Sequence, residues 1–312
     1  MTSEISYTVE EVANLLKVSK LTVYDLLKKG EIPSFKVGRQ MRINSKDLDT
    51  FISGKKAEPP AATLPPSPSR KNQINETGTR NLLISGQDMV LDILGKYLES
   101  KGNYKSLRSY EGSLNSLLAM YKGECDIVSL HMFDGDTNEY NVPFVRKILI
   151  GYQYTILNLI SRKAGLMVQK GNPLNITNWP DLQKKNIRLI NREIGSGARI
   201  LLEEQLRIHH LSGSDIEGYD RIETSHLSVA SSISSGEADV GVGTEKAAKI
   251  VGLDFIPLIT ERYDLVMINN KENNEILNIL TDVLNSASFK KEIQALGDYD
   301  ISQTGQVIYK TS

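Results

Sequence analysis

The segment NREIGSGAR, residues 191–199, sets three small residues between two arginines, where an apolar stretch meets an amphipathic one. A helix that begins at such a junction leaves its first backbone N–H groups unpaired, and its dipole favours an anion there. Glycine lets a ligand approach the backbone closely, and a serine hydroxyl adds a donor. The segment therefore predicts a cradle for an anionic or strongly polar group. The candidate cradle residues are Gly195, Ser196 and Gly197, with Arg192 and Arg199 as candidate countercharges.

Four other segments have the same character, with serine, glycine or asparagine between an apolar stretch and the start of an amphipathic one. Apolar strands alternate with amphipathic helices from residue 79 onward, which predicts an α/β fold with a mostly parallel sheet covered on both faces. Such sheets bind ligands at the carboxyl ends of their strands, so these loops are expected to meet at one edge. The four segments are ISGQD (84–88), YEGSLNS (110–116), SLHMFDGD (129–136) and TSHLSVA (224–230).

No arrangement in the chain predicts catalysis. GVGTEKAAK, residues 241–249, lacks the third glycine of a dinucleotide fingerprint, and no phosphate-binding P-loop pattern is present. Asp220, Ser225 and His226 are neighbours along the chain, which does not make a catalytic triad. His131 follows an apolar strand, and we interpret it as facing a ligand or as satisfied in the core. We therefore predict a binding protein, not an enzyme, without a cofactor or a bound metal.

The composition is that of an ordinary globular protein, with 312 residues of which 40% are hydrophobic and 24% charged. A net charge of -1 excludes a uniformly basic coat, so any nucleic-acid surface has to be local. The single cysteine cannot form an internal disulfide. Neither a signal-peptide pattern nor an apolar stretch of ~18 residues is present, so we expect a cytoplasmic protein with no membrane partner.

Residues 1–56 are locally basic, with ten Lys and Arg against seven Asp and Glu. TVEEVANLL predicts a helix capped by Thr8, and SKLTVYDLLKKG predicts a second helix, capped by Ser19 and ended by Gly30. IPSFKVGRQMRI predicts two short strands and SKDLDTFI a closing helix, an order typical of a winged helix-turn-helix. Residues 57–78 hold five of the ten prolines and few large apolar residues, so we interpret them as a linker.

The N-terminal segment resembles the excisionase/MerR-type DNA-binding domain along its whole length. The matching signs are T-x-x-E-x-A in the first helix, S-x-x-T-V-Y opening the second, and G-x-I-P with V-G-R and R-I in the wing. The resemblance implies that the second helix enters the major groove of DNA while the wing lies over the backbone. The candidate DNA-contacting residues are Ser19, Lys20, Thr22, Tyr24, Arg39, Gln40 and Arg42.

Residues 79–312 are similar to the periplasmic-binding-protein-like domain found behind DNA-binding domains and in molybdopterin-biosynthesis-related proteins. The similarity is carried by NREIGSGAR, by YEGSLNSLLAMYKGECDIVSLHMFD and by IEGYDRIETSHLSVASSISSGEADVGVG. It implies a two-lobed type II fold with a cleft between the lobes. Lobe one would combine about 79–163 with 264–312, and lobe two would comprise about 166–262.

The same domain is related to the periplasmic molybdate- and tungstate-binding proteins, which hold a tetrahedral oxyanion mainly with neutral donors. The resemblance therefore implies molybdate or tungstate as the effector. Two residues favour a different metabolite, such as a molybdopterin-like compound: Ala198 replaces the threonine of the usual G-S-G-T-R pattern, and Asp88 puts a carboxylate near the cleft. The candidate ligand-binding residues are Ser85, Gly86, Asp88, Gly112, Ser113, His131, Arg192, Gly195, Ser196, Gly197, Arg199, Ser225 and His226.

Together these expectations describe a one-component transcriptional regulator, in which a ligand closes the two lobes and so shifts the DNA-binding equilibrium. A homodimer on double-stranded DNA is expected, because one small helix-turn-helix rarely reaches useful specificity alone. The alternatives are a regulator of the same architecture with a different small-molecule ligand, and an excisionase-like recombination factor. The long C-terminal domain argues against the recombination factor, since an architectural factor needs no ligand domain.

Overall fold

The computed structural model describes residues 6–16, 20–28, 32–38, 40–54 and 78–311. The chain divides into two compact units, residues 1–63 and 64–312. Some of the sequence-based expectations fall on residues or side chains outside this description. They concern Ser19, Gly30, Arg39, the side chain of Thr22 and residues 57–77 of the expected linker.

The N-terminal unit contains a pair of packed helices and a small antiparallel sheet. Its elements are β1 (Ser6–Thr8), α1 (Val9–Leu16), α2 (Lys20–Lys28), β2 (Phe35–Val37), β3 (Gln40–Asn44) and α3 (Ser45–Gly54). The strands lie in the order β1-β3-β2, and Gly38 turns the chain between β2 and β3 with φ +60°. The predicted order of helix, helix, hairpin and helix is confirmed, and β1 is a strand that the pattern does not predict.

A reciprocal cap fixes the start of α1. Thr8 Oγ1 accepts a hydrogen bond from Glu11 N at 3.3 Å, and Glu11 Oε2 accepts one from Thr8 N at 2.8 Å. This capping box pairs two backbone donors that a helix start would otherwise leave open. Val12 and Val23, both fully buried, then bring α1 and α2 together in a core that includes Ile43 of β3.

The C-terminal unit alternates strands and helices, as the sequence pattern predicts. Its strands are β4 (Arg80–Ser85), β5 (Tyr104–Ser109), β6 (Ile127–Leu130), β7 (Phe133–Asp134), β8 (Glu139–Tyr140), β9 (Tyr154–Val168), β10 (Leu189–Arg192), β11 (Ile222–Glu223), β12 (Val240–Thr244), β13 (Asp254–Ile268), β14 (Tyr299–Asp300) and β15 (Val307–Lys310). Its α-helices are α4 (Val90–Lys101), α5 (Ser113–Tyr121), α6 (Val142–Ile148), α7 (Gly197–Ile208), α8 (His226–Ser234), α9 (Glu245–Val251), α10 (Asn274–Asn285) and α11 (Ala287–Ala295). No helix among the described residues is long and apolar enough to cross a membrane.

One sheet, in the order β11-β10-β12-β9-β13-β6-β4-β5, runs through both lobes of this unit. In one lobe β4 pairs in parallel with β5 and β6, and in the other β10 pairs in parallel with β11 and β12. The 15-residue strands β9 and β13 pair antiparallel between these two groups and connect the lobes. The buried residues of β9 are mostly apolar, which suits a strand covered on both faces, and the polar exceptions are Thr155, Asn158 and Arg162.

Each lobe has its own apolar core. In lobe one, α4, α10 and α11 pack against β4 and β9, while α5 packs against β6. In lobe two, α7, α8 and α9 cover β10 and β12. The hairpin β7–β8 departs from the expected division at residue 163, because Phe133 and Tyr140 are buried in the core of lobe two. The chain therefore visits lobe two briefly before its main crossing.

Candidate ligand-binding site

A cavity of about 250 Å³ lies between the two lobes of the C-terminal unit. It is lined by segments that follow β4, β6 and β12, by the end of β10 and by the first residues of α5, α7, α8 and α9. The cavity thus lies at the carboxyl ends of the parallel strands, where sheets of this kind bind ligands. Its volume is just below the lower end of the usual range for small-molecule sites, ~300 Å³.

The cavity brings together most of the residues that the sequence singles out. Gly86, Asp88, Gly112, Ser113, His131, Arg192, Ser196, Gly197 and His226 are part of its lining. Ser85, Gly195, Arg199 and Ser225 are not part of the lining. Those four lie in the same loops or helix starts, where each has other partners in the fold.

The serine hydroxyls of the lobe-two loops mainly hold the helix starts in place. Ser196 Oγ accepts a hydrogen bond from Arg199 N at 3.2 Å and donates one to Glu193 O at 2.9 Å. Ser225 Oγ accepts a hydrogen bond from Ser228 N at 3.0 Å. These hydroxyls are the N-caps of α7 and α8, so their bonding capacity is largely used inside the loops. What they leave open to a ligand is the backbone of the residues that follow them.

Besides α9, which contributes its first residues Glu245, Lys246 and Ala247, the first turns of three longer helices open on the cavity. Gly197 of α7, with His226 and Leu227 of α8, occupies first helical positions, whose N–H groups have no intrahelical partner. Gly112 and Ser113 bring the start of α5 to the cavity from lobe one. Unpaired donors and the positive ends of three helix dipoles therefore meet here, an arrangement that favours an anionic group.

The loop after β4 approaches the sheet too closely for any side chain at Gly86. Gly86 has φ +141°, and a Cβ on it would come within 1.8 Å of Ser129 Oγ on β6. Ser85, the residue before it, is buried and its hydroxyl lies 2.8 Å from Ser116 Oγ. Ser85 therefore joins β4 to α5, while Gly86 itself faces the cavity.

The two predicted countercharges have different surroundings. Arg192 lines the cavity, and its guanidinium donates to both carboxylate oxygens of Glu193, at 2.7 and 2.8 Å, and to Gln87 Oε1 at 2.8 Å. Arg199 forms an ion pair within its own helix, and its guanidinium lies 4.2 Å from the ring centre of Tyr219. Of the two arginines, Arg192 is the one that a ligand in the cavity can reach.

Hydrogen bonds join the two lobes beside the cavity. Leu114 N, at the start of α5, donates to Gly195 O in the loop before α7 at 2.9 Å. Arg192 donates to Gln87 Oε1 from lobe two to lobe one at 2.8 Å. Both bonds involve loops that line the cavity or adjoin it. A ligand that shifts either loop therefore changes the contact between the lobes.

A cluster of buried charges lies beside the cavity. Arg162, within β9, forms ion pairs with Asp88 and with Glu261 of β13, and each of the three side chains is less than a tenth exposed. Asp88 also accepts hydrogen bonds from Val90 N at 2.9 Å and from Tyr299 OH at 3.0 Å. The Asp88 carboxylate is therefore neutralised inside the protein and presents no free negative charge to the cavity.

The charges within this cluster keep Glu261 and Arg162 ionised. Burial alone would raise the pKa of Glu261, but Arg162 and His131 lower that pKa well below its ordinary value. Burial alone would likewise lower the pKa of Arg162, and the attraction of Glu261 and Asp88 raises it instead. Both side chains are consequently ionised in the neutral range, where the two ion pairs are therefore present.

Two histidines, one from each lobe, line the cavity with their ring centres 6.3 Å apart. His131 Nδ1 lies 3.1 Å from Glu261 Oε2, and we assign the Nδ1 proton to this hydrogen bond. A Cβ on Gly197 would come within 2.5 Å of the same ring nitrogen, so glycine suits that position. His226 Nδ1 is buried and has no hydrogen-bond partner among the described residues.

Burial, followed by the positive charges of Arg192 and Arg162, holds the pKa of His226 well below its ordinary value of 6.5. In the unfolded chain this pKa returns to ~6.5, so below that pH the unfolded state binds more protons and stability falls. Between pH 7 and pH 5 we expect the wild-type protein to lose up to about 2 kcal/mol of unfolding free energy through this group. Urea unfolding should show that His226→Asn loses less unfolding free energy than the wild type between pH 7 and pH 5. The control variant His209→Asn alters an exposed histidine at the end of α7 and should lose as much as the wild type. The same pH dependence in all three proteins would contradict a neutral, buried His226.

Some lining residues are not found by sequence reasoning. Arg162, Tyr263 and Tyr299 line the cavity from β9, β13 and β14. Arg162 does leave a signal, because Arg162 and Lys163 are the two charged residues of the mainly apolar run TILNLISRKAGLMV. The two tyrosines leave no such signal, because a tyrosine that packs within a sheet and one that lines a ligand site look the same in the sequence.

In the N-terminal unit, the predicted DNA-contacting side chains differ in their exposure and in their contacts with the rest of the unit. Tyr24 of α2 is 54% exposed, and Gln40 of β3 is also exposed. Lys20 is exposed and forms an ion pair with Glu10 of α1 at 2.8 Å. Arg42 is partly buried, and its guanidinium lies 3.4 Å from a carbonyl oxygen of β1, so it also ties β3 to β1.

Comparison with known proteins relates both units to families. A model of the PBP superfamily domain matches residues 95–285, and a model of a helix-turn-helix domain matches residues 6–56. The uncharacterized protein YvgK of Bacillus subtilis (strain 168) is 48% identical to this chain over 311 residues, covering 100% of both chains. A similarity this high over both units shows that the two domains occur together in that relative as well.

Solved structures share the fold of the C-terminal unit at low sequence identity. A substrate-binding protein with bound phosphate from Clostridium perfringens has a TM-score of 0.54 and 14% identity, covering 71% of this chain and 99% of that chain. The tungstate ABC transporter from Geobacter sulfurreducens has a TM-score of 0.51 and 13% identity, covering 69% and 97%. At these identities the likeness establishes the fold alone.

Proposed function

This chain belongs to the PBP superfamily domain family and carries a helix-turn-helix domain at its N-terminus, and from this premise we propose that it is a DNA-binding regulator that responds to a small ligand. The observation that carries the proposal is the cavity on which helix starts from both lobes open. A ligand held there touches both lobes and favours the arrangement in which they are closed. Closure of the lobes is the conformational change that alters the affinity of the N-terminal unit for DNA.

We propose that the ligand carries an anionic group. Three helix N-termini support this, since their first N–H groups offer donors to the cavity, and the Arg192 guanidinium, paired with Glu193, lines the cavity beside them. Two features of the sequence argue against an oxyanion: the carboxylate of Asp88 and the alanine at position 198. The folded chain weakens both arguments. Asp88 is paired with Arg162, and Ala198 is 2% exposed and packs in the core of lobe two. Free molybdate and tungstate are the simplest ligands of this kind, and an organic anion is the alternative.

The regulator proposed here is a binding protein without catalytic activity, and its DNA-bound form is a homodimer. A dimer doubles the readable DNA sequence, which a single small helix-turn-helix unit needs for specificity. The alternative of a recombination factor finds no support in the fold, because such a factor makes no use of an interlobe cavity.

The ligand part of the proposal is tested by calorimetric titration of the full-length protein with molybdate, tungstate, sulfate and phosphate. We expect Arg192→Met to weaken binding of whichever oxyanion binds by at least tenfold, because a hydrogen bond to a charged group contributes about 1.5–3 kcal/mol. Arg199→Met is the matched control, since Arg199 is also buried and paired with a nearby glutamate but lies outside the cavity lining. Equal losses in the two variants would contradict the assignment of Arg192.

The DNA part is tested by fluorescence anisotropy with a labelled fragment from upstream of the protein's own gene. We expect specific binding whose affinity changes when the oxyanion identified by titration is added, and which Tyr24→Ala weakens. Tyr121→Ala, which alters a tyrosine of the C-terminal unit that is 45% exposed, should leave the affinity unchanged. Binding that is indifferent both to the anion and to Tyr24→Ala would refute a ligand-responsive regulator that reads DNA with α2.

A further inference from the structure

We propose that the anionic group belongs to an organic molecule, whose apolar part lies on Met89, Leu227 and Ile250 inside the interlobe cavity. This inference rests on the proposed function, because it takes the cavity to be the effector site. It goes further by choosing between a bare inorganic oxyanion and an organic anion. Three observations on the described residues lead to that choice.

The first observation is the exposure of large apolar side chains that line the cavity. Met89 before α4, Leu227 of α8 and Ile250 of α9 are 41%, 48% and 58% exposed, and all three are part of the lining. A single exposed apolar residue is ordinary on a protein surface, but several that share one concave site indicate an apolar partner. These three come from both lobes, so a molecule that lies on them contacts both lobes.

The second observation is the size of the cavity. A tetrahedral oxyanion has five heavy atoms and displaces roughly two or three water molecules, or about 60–90 Å³ at about 30 Å³ per water. The cavity measures about 250 Å³. A bare oxyanion at the helix starts would therefore leave most of the cavity, including its apolar wall, in contact with water. An organic anion fills both parts.

The third observation is that the cavity offers hydrogen-bond acceptors as well as donors. His131 uses its Nδ1 proton toward Glu261, so in its neutral form it presents Nε2 as an acceptor. A neutral imidazole always carries one acceptor nitrogen, which a fully deprotonated oxyanion cannot satisfy. A hydroxyl or N–H group on an organic ligand can.

The inference is tested with two matched pairs of probes, inorganic phosphate against phenyl phosphate and acetate against benzoate. Calorimetric titration of the full-length protein gives the dissociation constants. In at least one pair we expect the aromatic anion to bind at least tenfold more tightly, because its ring covers the apolar wall. Ile250→Ser should bring that ratio close to one while the affinity for the simple anion stays the same.

Ile208→Ser is the matched control, since Ile208 is 40% exposed at the end of α7 and is not part of the cavity lining. The control variant should keep the full ratio. Simple anions that bind as tightly as their aromatic partners would overturn the inference and leave the proposed function intact. A ratio that Ile250→Ser does not reduce would overturn it too, because the ring would then lie elsewhere. Failure of every anion, molybdate and tungstate included, would overturn the anionic ligand itself.

Discussion

Replacement of Arg162 by methionine will lower the free energy of unfolding of the C-terminal unit by about 3–5 kcal/mol at pH 7. Arg162 is paired with Asp88 and Glu261, and all three side chains are buried. Methionine fills much of the space but leaves two buried carboxylates without their cation, which is a costly arrangement in a medium of low polarity. Urea unfolding followed by the fluorescence of Trp179, the single tryptophan, which is buried in lobe two, measures the loss.

Lys163→Met is the matched control for this substitution. Lys163 is the next residue of β9 and is exposed, so its replacement should change stability by less than about 0.5 kcal/mol. A triple variant that combines Arg162→Met with Asp88→Asn and Glu261→Gln should recover part of the loss, because it removes the unpaired charges. If Arg162→Met destabilises no more than Lys163→Met, the buried ion pairs do not exist as described.

The pH dependence of the Arg162→Met variant supplies an independent check. In the wild-type protein Arg162 and His131 hold the pKa of Glu261 below its unfolded value, so this stabilisation is present above about pH 4.3 and is lost as the pH falls. In the variant, without the Arg162 charge, burial raises the pKa of the Glu261 carboxyl in the folded state, so folding takes up a proton and stability increases as the pH falls. The difference between variant and wild type should therefore be smaller at pH 5 than at pH 7, by about 1 kcal/mol or more.

Gly86→Ala will destabilise the same unit by about 3 kcal/mol and will weaken ligand binding at least tenfold. Overpacking of a tight core costs about 1–3 kcal/mol, and the backbone strain at φ +141° adds to it. The new Cβ would come within 1.8 Å of Ser129 Oγ and 2.8 Å of a methyl carbon of Leu91. Ser129 cannot turn away cheaply, because its hydroxyl donates to Ser85 O at 3.1 Å and lies 2.7 Å from Tyr263 OH.

Gly171→Ala separates the steric clash from the backbone strain. Gly171 also has a positive φ, of +81°, but a Cβ on it would meet nothing within 4 Å. Its substitution should therefore cost about 1 kcal/mol through strain alone and leave ligand affinity unchanged. The double variant Gly86→Ala with Ser129→Gly should regain part of the stability that Gly86→Ala loses. Equal effects of Gly86→Ala and Gly171→Ala would show that the loop after β4 has room for a side chain.

Much of the secondary structure is predictable because it depends on residues that are close in sequence. The helices α1 and α7 begin where Thr8 and Ser196 stand before an amphipathic run, and both serve as caps. The glycines of the cavity loops are likewise visible, because a helix start next to a buried strand leaves little room for side chains. The length of β9 and the hairpin β7–β8 are not visible, since short apolar runs do not reveal where a strand ends or which core receives it.

The role of a charged side chain is harder to predict than its place in a helix or strand. Arg192 and Arg199 flank the same three small residues, and in the sequence they are equivalent. Arg192 ends a strand and lines the cavity, whereas Arg199 lies in the first turn of α7 and stacks over Tyr219. The direction of each side chain depends on how α7 packs against its sheet, which no local pattern contains.

The sequence by itself determined the two domains, their order and the set of loops that meet at the carboxyl ends of the strands, because periodicity, caps and turns act over a few residues. Only the tertiary structure decided the electrostatics of the site. Arg162 finds Asp88 at a sequence separation of 74 and Glu261 at a separation of 99. Asp88 is a repelling charge in the sequence and a neutralised one in the fold, because in a buried site the charge that a ligand meets is set by whichever partner the folded chain brings within a few ångströms.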